Sequence, residues 1–353
     1  MPVPRLVPVL ASVLAPVAVI AGAVLGVSLL IMAAGYDLPG AAHAAVAGSV
    51  GSSFAILSAT LKRATPILML GLAVAIAFRA GVLNIGAEGQ FLAGAASACA
   101  VGLAAGPVLG RSSVFLELAV GATAGACWAG LAAVLKRWFS IMEVVSTLLL
   151  NFVAVHLVGY LIRGPLQEPS GSYPQSSLLE PAARLPLLLE GQRLHAGFPL
   201  ALVIACLVWW FYRSTAAGFR FRVTGSSRAA AASAGLINVD AVQMQALIAS
   251  GAIAGLAGAC EVTGVTYALY DGLSPGYGYT AIAVALLGGL HPIAIIASAT
   301  LFGALGAGAD AMQRDAGVPA EFAAVAAALV VLGVLAVPSV RRFRLRTGGE
   351  RRP

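Results

Sequence analysis

Apolar residues fill this chain in blocks that are longer than ordinary β-strands and lack the polar face of a helix on a soluble protein. Blocks such as 7–34, 115–135 and 318–337 hold almost no charge, and each supplies the roughly 20 apolar residues that a helix needs to cross ~30 Å of hydrocarbon. Ten blocks follow one another, at 7–34, 56–78, 84–108, 114–135, 142–162, 197–212, 242–268, 278–290, 293–310 and 318–338. They predict an all-α fold, a polytopic transmembrane helical bundle of about ten membrane segments, some of them broken or re-entrant. The first block follows Arg5 but is too long for the h-region of a cleavable signal, so it reads as a retained helix.

The polar positions inside this pattern are few and grouped. "FRAGVLNIGAEGQF", residues 78–91, sets an arginine, an asparagine, a glutamate and a glutamine among three glycines. With Arg79 at a membrane edge, Glu88 is nine residues further on, or ~13 Å deeper at the rise of a helix. An ionised acid at that depth costs about 3 kcal/mol. Glu88, Glu143 and Glu261 are therefore expected to face the bundle interior, water or a partner, or to be protonated. Gly81, Gly86 and Gly89 favour a local break, and the backbone groups it frees are tolerated only against protein or a wet cavity. Asn84 is placed to cap the resumed helix, and Gln90 both donates and accepts.

A second interruption, "LSPGYGYTAIAVALLGGLHP", leaves about nine residues of clean helix, ~14 Å or half a bilayer. Broken segments in separate halves of a membrane chain point to a translocation site; an architectural kink is the competing reading. In "SIMEVVSTLLLNFVAVH", Glu143, Thr147 and Asn151 are spaced four apart and share one helix face, either to line a path or to hydrogen-bond between helices. The candidate path residues are Asn84, Glu88, Gln90, Glu143, Asn151, Glu261, Tyr277 and Tyr279.

Composition removes the soluble alternatives. Of 353 residues, 60% are hydrophobic and 10% charged, with a mean hydropathy of +0.94, more apolar surface than a water-soluble core hides. With the N-terminus in the cytoplasm and each segment crossing in turn, Arg5, Arg79, Lys136, Arg137, the four arginines from Arg213 to Arg228 and the six from Arg341 to Arg352 share the cytoplasmic side. That is 14 of the 21 basic residues, as the positive-inside rule requires, and it leaves both termini cytoplasmic. The +7 net charge is thus an orientation signal, and no nucleic acid partner is expected, because the basic residues lack interleaved aromatics.

Cys99, Cys127, Cys206 and Cys260 fall in apolar segments without a C-x-x-C pair and read as buried small hydrophobes. His156 and His291 lack partners at metal-ligand spacing, so no metal is expected. The sequence carries no P-loop, H-E-x-x-H or G-x-S-x-G motif, so no catalytic residue and no cofactor are assigned to the chain. Glycine pairs four apart, Gly102 with Gly106, Gly121 with Gly125 and Gly251 with Gly255, let helix backbones approach closely in lipid and argue for a compact bundle.

The chain reads as one transmembrane domain, 1–353, with an outer loop at 164–195, a cytoplasmic loop at 213–241 and a basic cytoplasmic tail at 339–353. The outer loop carries five prolines in "GPLQEPSGSYPQSSLLEPAARLP" and is expected to be an ordered, extended flap. The inner loop opens with glycine and alternating arginines. It then offers Ser226 or Ser227 as N-cap, an alanine run, and Gly235 as a C-terminal stop. It predicts a two-turn helix on a basic stalk, too short to persist without packing against this chain or a partner.

"AFRAGVLNIGAEGQF", "MEVVSTLLLNFVA", the "GPLQEPSG.YPQ" pattern, "GFRFRVTGSSRAAAASAGL" and "YTAIAVALLGGLHPIAI" together resemble the membrane permease subunits of bacterial simple-sugar and nucleoside ABC importers, in order from about residue 60 to 335. Met142 departs from the resemblance, standing where that family more often has asparagine. The resemblance implies half of a transmembrane dimer in the bacterial plasma membrane, with lipid around it. A cytoplasmic ABC ATPase that holds ATP and Mg lies below, and an extracytoplasmic solute-binding lipoprotein above. The outer loop leans toward the nucleoside-type branch, whose second permease subunit is often a different chain. The resemblance also places the ATPase-coupling helix at Ser226–Ala234, within a docking region of Gly218, Arg220, Arg222, Ser226, Ser227, Arg228, Ala231 and Gly235. The alternative is a receptor-independent secondary transporter or channel that uses the buried acids as ion sites.

Overall fold

A computed structural model describes residues 21–22, 24–233, 237–319, 321–322, 324–325 and 328–329. The described residues are all-helical apart from loops and isolated bridges. They form two compact units, one of residues 1–60 with 304–353, the other of residues 61–303.

In the first unit, α1 (Val24–Ala33) is followed by α2 (Leu38–Ser49), whose first turn is capped by Asp37 Oδ2 accepting from the Gly40 N–H at 3.0 Å. No block in the apolar pattern corresponds to α2, because it is short and rich in alanine and glycine. Val27, Ile31, Ala41 and Val318 form a small buried cluster, with Tyr36 edge-on to Phe322.

In the second unit α3 (Lys62–Arg79) is the central rod. All 14 residues from Ala64 to Ala77 are buried, which is why its sequence is apolar on every side. Packed on it are α4 (Ala87–Leu109), α7 (Gly197–Ser214), α10 (Val239–Glu261) and the short α11 (Tyr277–Leu287), while α5 (Ser113–Phe139) packs on α10 and α4, and α6 (Glu143–Arg163) on α4 and α5. The chain then enters α12 (Pro292–Ala316). A seven-residue π-helix, Ala55–Leu61, leads into α3, and a five-residue one, Val262–Thr266, follows α10.

Two of the three glycine pairs form one seam. Gly121 and Gly125 of α5 lie against the backbone of Gly251 and Gly255 of α10, and Gly94 of α4 lies against Gly255. A Cβ at Gly94, Gly125, Gly251 or Gly255 would enter a neighbouring backbone, and one at Gly121 would collide with the Ala259 side chain. The third pair differs: Gly102 faces Leu179 and Glu117, and Gly106 faces Ala183. Gly106 makes room for the loop, and Gly102 for both the loop and the Glu117 side chain of α5.

Six stretches are long and apolar enough to span a membrane among the described residues, against the ten expected. The difference has clear sources. Blocks 7–34 and 318–338 lie largely outside the described residues, and α11, at eleven residues, is half a span. Finally, α4 and α5 run together through the one-turn 3-10 helix Gly110–Ser112 as a single 53-residue stretch.

The inner loop also differs from the stalk expected. It holds α8 (Ala216–Ser226) and α9 (Arg228–Ser233). Thr215 caps α8 by accepting from the Gly218 N–H at 3.0 Å. Helical phase then puts Gly218, Phe221 and Thr224 on one buried face, so the alternating arginines do not mark extended backbone. Ser226 ends α8, and Ser227 caps α9 by accepting from the Ala230 N–H at 3.1 Å. Gly235 lies outside the described residues, as do Arg5 and the tail at 339–353.

The loop at 164–195 docks on the turn after α10. Ser176, Leu179 and Leu185 N–H groups donate to Leu269, Tyr267 and Thr263 carbonyls at 2.8, 2.7 and 2.9 Å. Two cysteines correct the expectation of burial: Cys99 and Cys260 are buried, whereas Cys127 and Cys206 are exposed on apolar helix faces.

The glycine seam yields a direct test. Gly255→Val forces a side chain into the Gly121 carbonyl and is expected to cost about 3 kcal/mol, read as a lowered unfolding midpoint in detergent. Gly130→Ala, at a helical position with nothing within 4 Å, is expected to be neutral or to stabilise by up to about 1 kcal/mol.

Candidate functional site

The site is built around the non-helical passage from Ala80 to Gly86 that joins α3 to α4. At its start Arg79 donates from Nε to the Leu290 carbonyl at 2.9 Å and lies over the Tyr212 ring at 5.4 Å. Gly81, with φ +74°, takes the tight turn beside Gly225 of α8. The ~13 Å depth of Glu88 cannot be counted along a continuous helix here, since most of the intervening backbone is irregular. Instead α11 serves as the ruler. Glu88 touches its first turn and Arg79 the turn beyond its last residue, so the two levels are separated by eleven residues of helix, or ~16 Å.

The passage leaves buried backbone groups that must find partners. Asn84, fully buried, accepts at Oδ1 from the Gly86 N–H (2.9 Å) and from Gln90 Nε2 (3.0 Å). Its Nδ2 donates to Gln90 Oε1 (2.9 Å) and to Ser250 Oγ (2.8 Å). Ser250 in turn donates to the Ala73 carbonyl at 2.6 Å. Asn84 therefore holds Gly86, the residue from which α4 starts, without capping an N–H of its first turn, and Gln90 both donates and accepts.

Asn151 of α6 completes the far side. Its Oδ1 accepts from the Gly89 N–H at 2.8 Å, while Nδ2 donates to the Ile85 carbonyl at 2.9 Å and to the Tyr279 hydroxyl at 3.3 Å. Thr147, one turn earlier, packs against Gly86. The α6 face singled out by four-residue spacing is thus the face that meets the passage, by interhelical hydrogen bonds.

Glu88 has a different task. Its Oε2 accepts from the Gly278 N–H at 2.6 Å. Gly276 opens α11 in the left-handed region at φ +88°, and Ser274 Oγ accepts from the Gly276 and Tyr277 N–H groups at 3.2 and 3.0 Å. The carboxylate therefore caps the positive end of a half-length helix from across the bundle. A Cβ at Gly278 would collide with the Glu88 backbone, so glycine is needed for the approach. Tyr277 packs edge-on against Phe91 at 6.1 Å, and Tyr279 is 44% exposed.

Six of the eight path candidates, Asn84, Glu88, Gln90, Asn151, Tyr277 and Tyr279, are brought together here. Two are not. Glu143 lies in the first turn of α6, paired to Lys136 Nζ at 3.2 Å. Glu261 ends α10, within electrostatic reach of Lys62 and Arg63. Their sequence neighbourhoods resemble that of Glu88, but their helices place them at other levels.

The polar pattern also missed partners. Ser250 and Ser274 are single polar residues in apolar or loop sequence, and Gln243 stands between Asp240 and Gln245 in the first turns of α10. Gln243 donates from Nε2 to the Gly81 carbonyl at 3.2 Å and accepts at Oε1 from Lys136 Nζ at 2.9 Å. Glu117, fully buried beside Gly102, is a further acid within an apolar helix. Among the described residues no cluster of three or more His, Cys, Asp or Glu side chains is placed to hold a metal.

On the docking region, Arg220, Arg222, Arg228, Ser226 and Ser227 are exposed, and Phe219 is 55% exposed beside them. Gly218 and Ala231 are buried against the scaffold, and Phe221 meets Phe211 edge-on at 5.3 Å.

Residues 56–339 match the family described as branched-chain amino acid transport system / permease component. The chain belongs to this permease family. Among its relatives, the guanosine ABC transporter permease protein NupP of Bacillus subtilis is 35% identical over 92% of this permease and 93% of its own length. A glucose ABC transporter permease protein of Haloferax volcanii is 34% identical over 84% and 80%. The nucleoside ABC transporter permease protein NupB of Lactococcus lactis is 28% identical over 91% and 90%. Each of these three organisms supplies a second permease that matches over 70 to 73% of this one. No solved structure matches the chain.

Two tests follow from the geometry. Glu88→Gln keeps an acceptor for the Gly278 N–H and is expected to leave the unfolding midpoint near that of the parent, whereas Glu88→Leu strands the N–H and is expected to cost about 1–3 kcal/mol.

The second test concerns His195, just before α7. Its Nδ1 accepts from the Gly197 N–H at 3.1 Å and its ring lies on Gly264. Burial, with the nearby Lys62 charge, lowers its pKa from 6.5 to about 4. Between those values the unfolded chain binds a proton that the folded chain does not. Stability is therefore full above pH 6.5 and falls by up to about 3 kcal/mol as the pH approaches 4. His195→Gln is expected to flatten that slope in midpoints measured from pH 8 to pH 5.

Proposed function

We propose that this permease is one transmembrane subunit of an ATP-binding-cassette importer and forms the translocation path for a nucleoside or a simple sugar, energised by a separate ATPase subunit. The observation that carries the reading is the build of α8 and α9. One face is fixed to the scaffold through Gly218, Phe221 and Gly225. The other offers Phe219, Arg220, Arg222 and Arg228 to solvent. A basic, aromatic-centred face held rigidly outside the spans fits an acidic groove on a partner protein.

The basic residues at this end support a cytoplasmic orientation for it, with both termini on the same side. ATP and Mg belong to the ATPase in this scheme, and no cofactor is assigned to the permease. The substrate class is supported by relatives named for guanosine, nucleosides and glucose. Paired matches within single organisms favour a second, non-identical permease as the other half. An extracytoplasmic solute-binding lipoprotein delivers the solute, and ATP binding below moves α8 and, through it, the helices around Glu88 and Tyr277.

Purification of the tagged permease from gently solubilised native membranes tests this. An ATPase is expected to copurify in stoichiometric amount, and Arg220→Ala with Arg222→Ala is expected to reduce its recovery about tenfold at unchanged permease level. Recovery of the permease alone, able to move solute in liposomes without ATP, would instead establish a secondary carrier.

A further inference from the structure

The residues that touch α8 from below and those that hold the buried passage are linked through one small polar joint. Gly225 of α8 lies against the Arg79 carbonyl and the Gly81 amide. Gln243 takes the next step, donating to the Gly81 carbonyl at 3.2 Å. Its other end accepts from Lys136 Nζ at 2.9 Å, and Lys136 pairs with Glu143 Oε1 at 3.2 Å. Gln243 is 2% exposed, with both ends of its amide held by these partners.

The two helices that leave this joint both end on the passage. From Gln243 along α10, Ser250 is seven residues on, or ~10 Å, and holds Asn84. From Glu143 along α6, Asn151 is eight residues on, or ~12 Å, and holds Ile85 and Gly89. Seven and eight residues return a helix to the same face. Both rods therefore present one end to the joint and the other to the passage. Between the ends of α5, α6, α9 and α10 lies a cleft of about 340 Å³, lined by Lys136, Glu143, Arg228, Asp240 and Gln243 among others. That free space lets the joint change its spacing without opening the packed glycine seam.

We propose that Gln243, with Lys136 and Glu143, is a positioning joint that converts displacement of α8 into displacement of the passage that carries Asn84, Glu88 and Gln90. A shift of α8 reaches Gly81 by backbone contact. The two-ended amide of Gln243 shares it between α10, on which it sits, and α6, through Lys136. Loss of the amide leaves α8 in contact with Gly81 but uncouples Gly81 from α10 and α6, so the passage no longer moves together with the helices that hold Asn84 and Asn151. The inference rests on the importer reading above, in which α8 receives the ATPase.

The test is made on the intact complex, reconstituted with its ATPase and loaded receptor in liposomes, so that uptake and ATP hydrolysis are read together. Gln243→Met keeps length and volume but removes both hydrogen bonds. The ATPase is expected to copurify normally and basal hydrolysis to persist, while solute moved per ATP falls about tenfold, within the range of coupling residues. Lys136→Met is expected to show the same loss, and the double variant no more than either alone, the signature of one shared element.

Lys136→Arg keeps both partners within reach and is expected to restore most of the loss, which a purely structural role would not require. Uptake per ATP unchanged in both Gln243→Met and Lys136→Met overturns the joint, as do additive losses. If Gln243→Met fails to assemble, the Lys136→Met and Lys136→Arg pair decides the question alone. Absence of any copurifying ATPase from the unmodified complex is a separate result and overturns the importer reading itself.

Discussion

The structure depends on one constraint, that backbone amides and carbonyls freed between Arg79 and Ala87 lie among buried apolar helices and must find partners there. A bilayer offers none, and each unmet group costs several kcal/mol. The bundle meets the constraint with side chains from two other helices. Asn151 reaches in from α6 to Ile85 and Gly89, and Ser250 from α10 steadies Asn84. From α11 comes the reverse arrangement, a helix end that needs an acceptor and finds it in Glu88. The glycine seam of α4, α5 and α10 follows from the same requirement, because side chains as short as serine and asparagine bridge helices only when the backbones approach closely.

Much of this was legible in the sequence, for a physical reason. Polar residues inside a membrane helix are costly, so they stand out against the apolar blocks, and glycine beside them marks broken backbone. Asn84, Gln90, Asn151 and the half-length α11 were found that way. What the sequence hides is pairing at long range. Glu88 and Gly278 are 190 residues apart, and nothing near either names the other. Ser250 and Gln243 of α10 are indistinguishable by pattern from polar residues that bond their own helix. Glu88, Glu143 and Glu261 all sit at the ends of their helices, and only the position of each helix end in the bundle, which spacing does not give, decides that Glu88 alone meets the passage. The basic stalk expected before the two-turn helix is itself the helix α8, because Thr215 caps its first turn and Gly218 packs beneath it, neither of which the alternating arginines announce.

Because the buried side chains spend their hydrogen-bonding capacity on one another, the passage behaves as a rigid part rather than as a set of free ligands. All four polar hydrogen-bond contacts of Asn84 and all three of Asn151 are internal. Rigid parts transmit displacement, whereas loosely held polar groups absorb it by changing partners. The elements with slack, such as the cleft beside Gln243 and the exposed faces of α8 and α9, lie at the basic end. Motion that starts there can pass inward with little loss.

The same accounting bears on selectivity. A side chain that already holds a buried backbone group cannot exchange it for a solute hydroxyl without leaving that group unmet, at a cost of about 1–3 kcal/mol. What remains for a passing solute around the passage is mainly the exposed edge of Tyr279 and the partly exposed Tyr277. Such a surface favours flat or hydroxylated solutes weakly and releases them readily, as conduction requires.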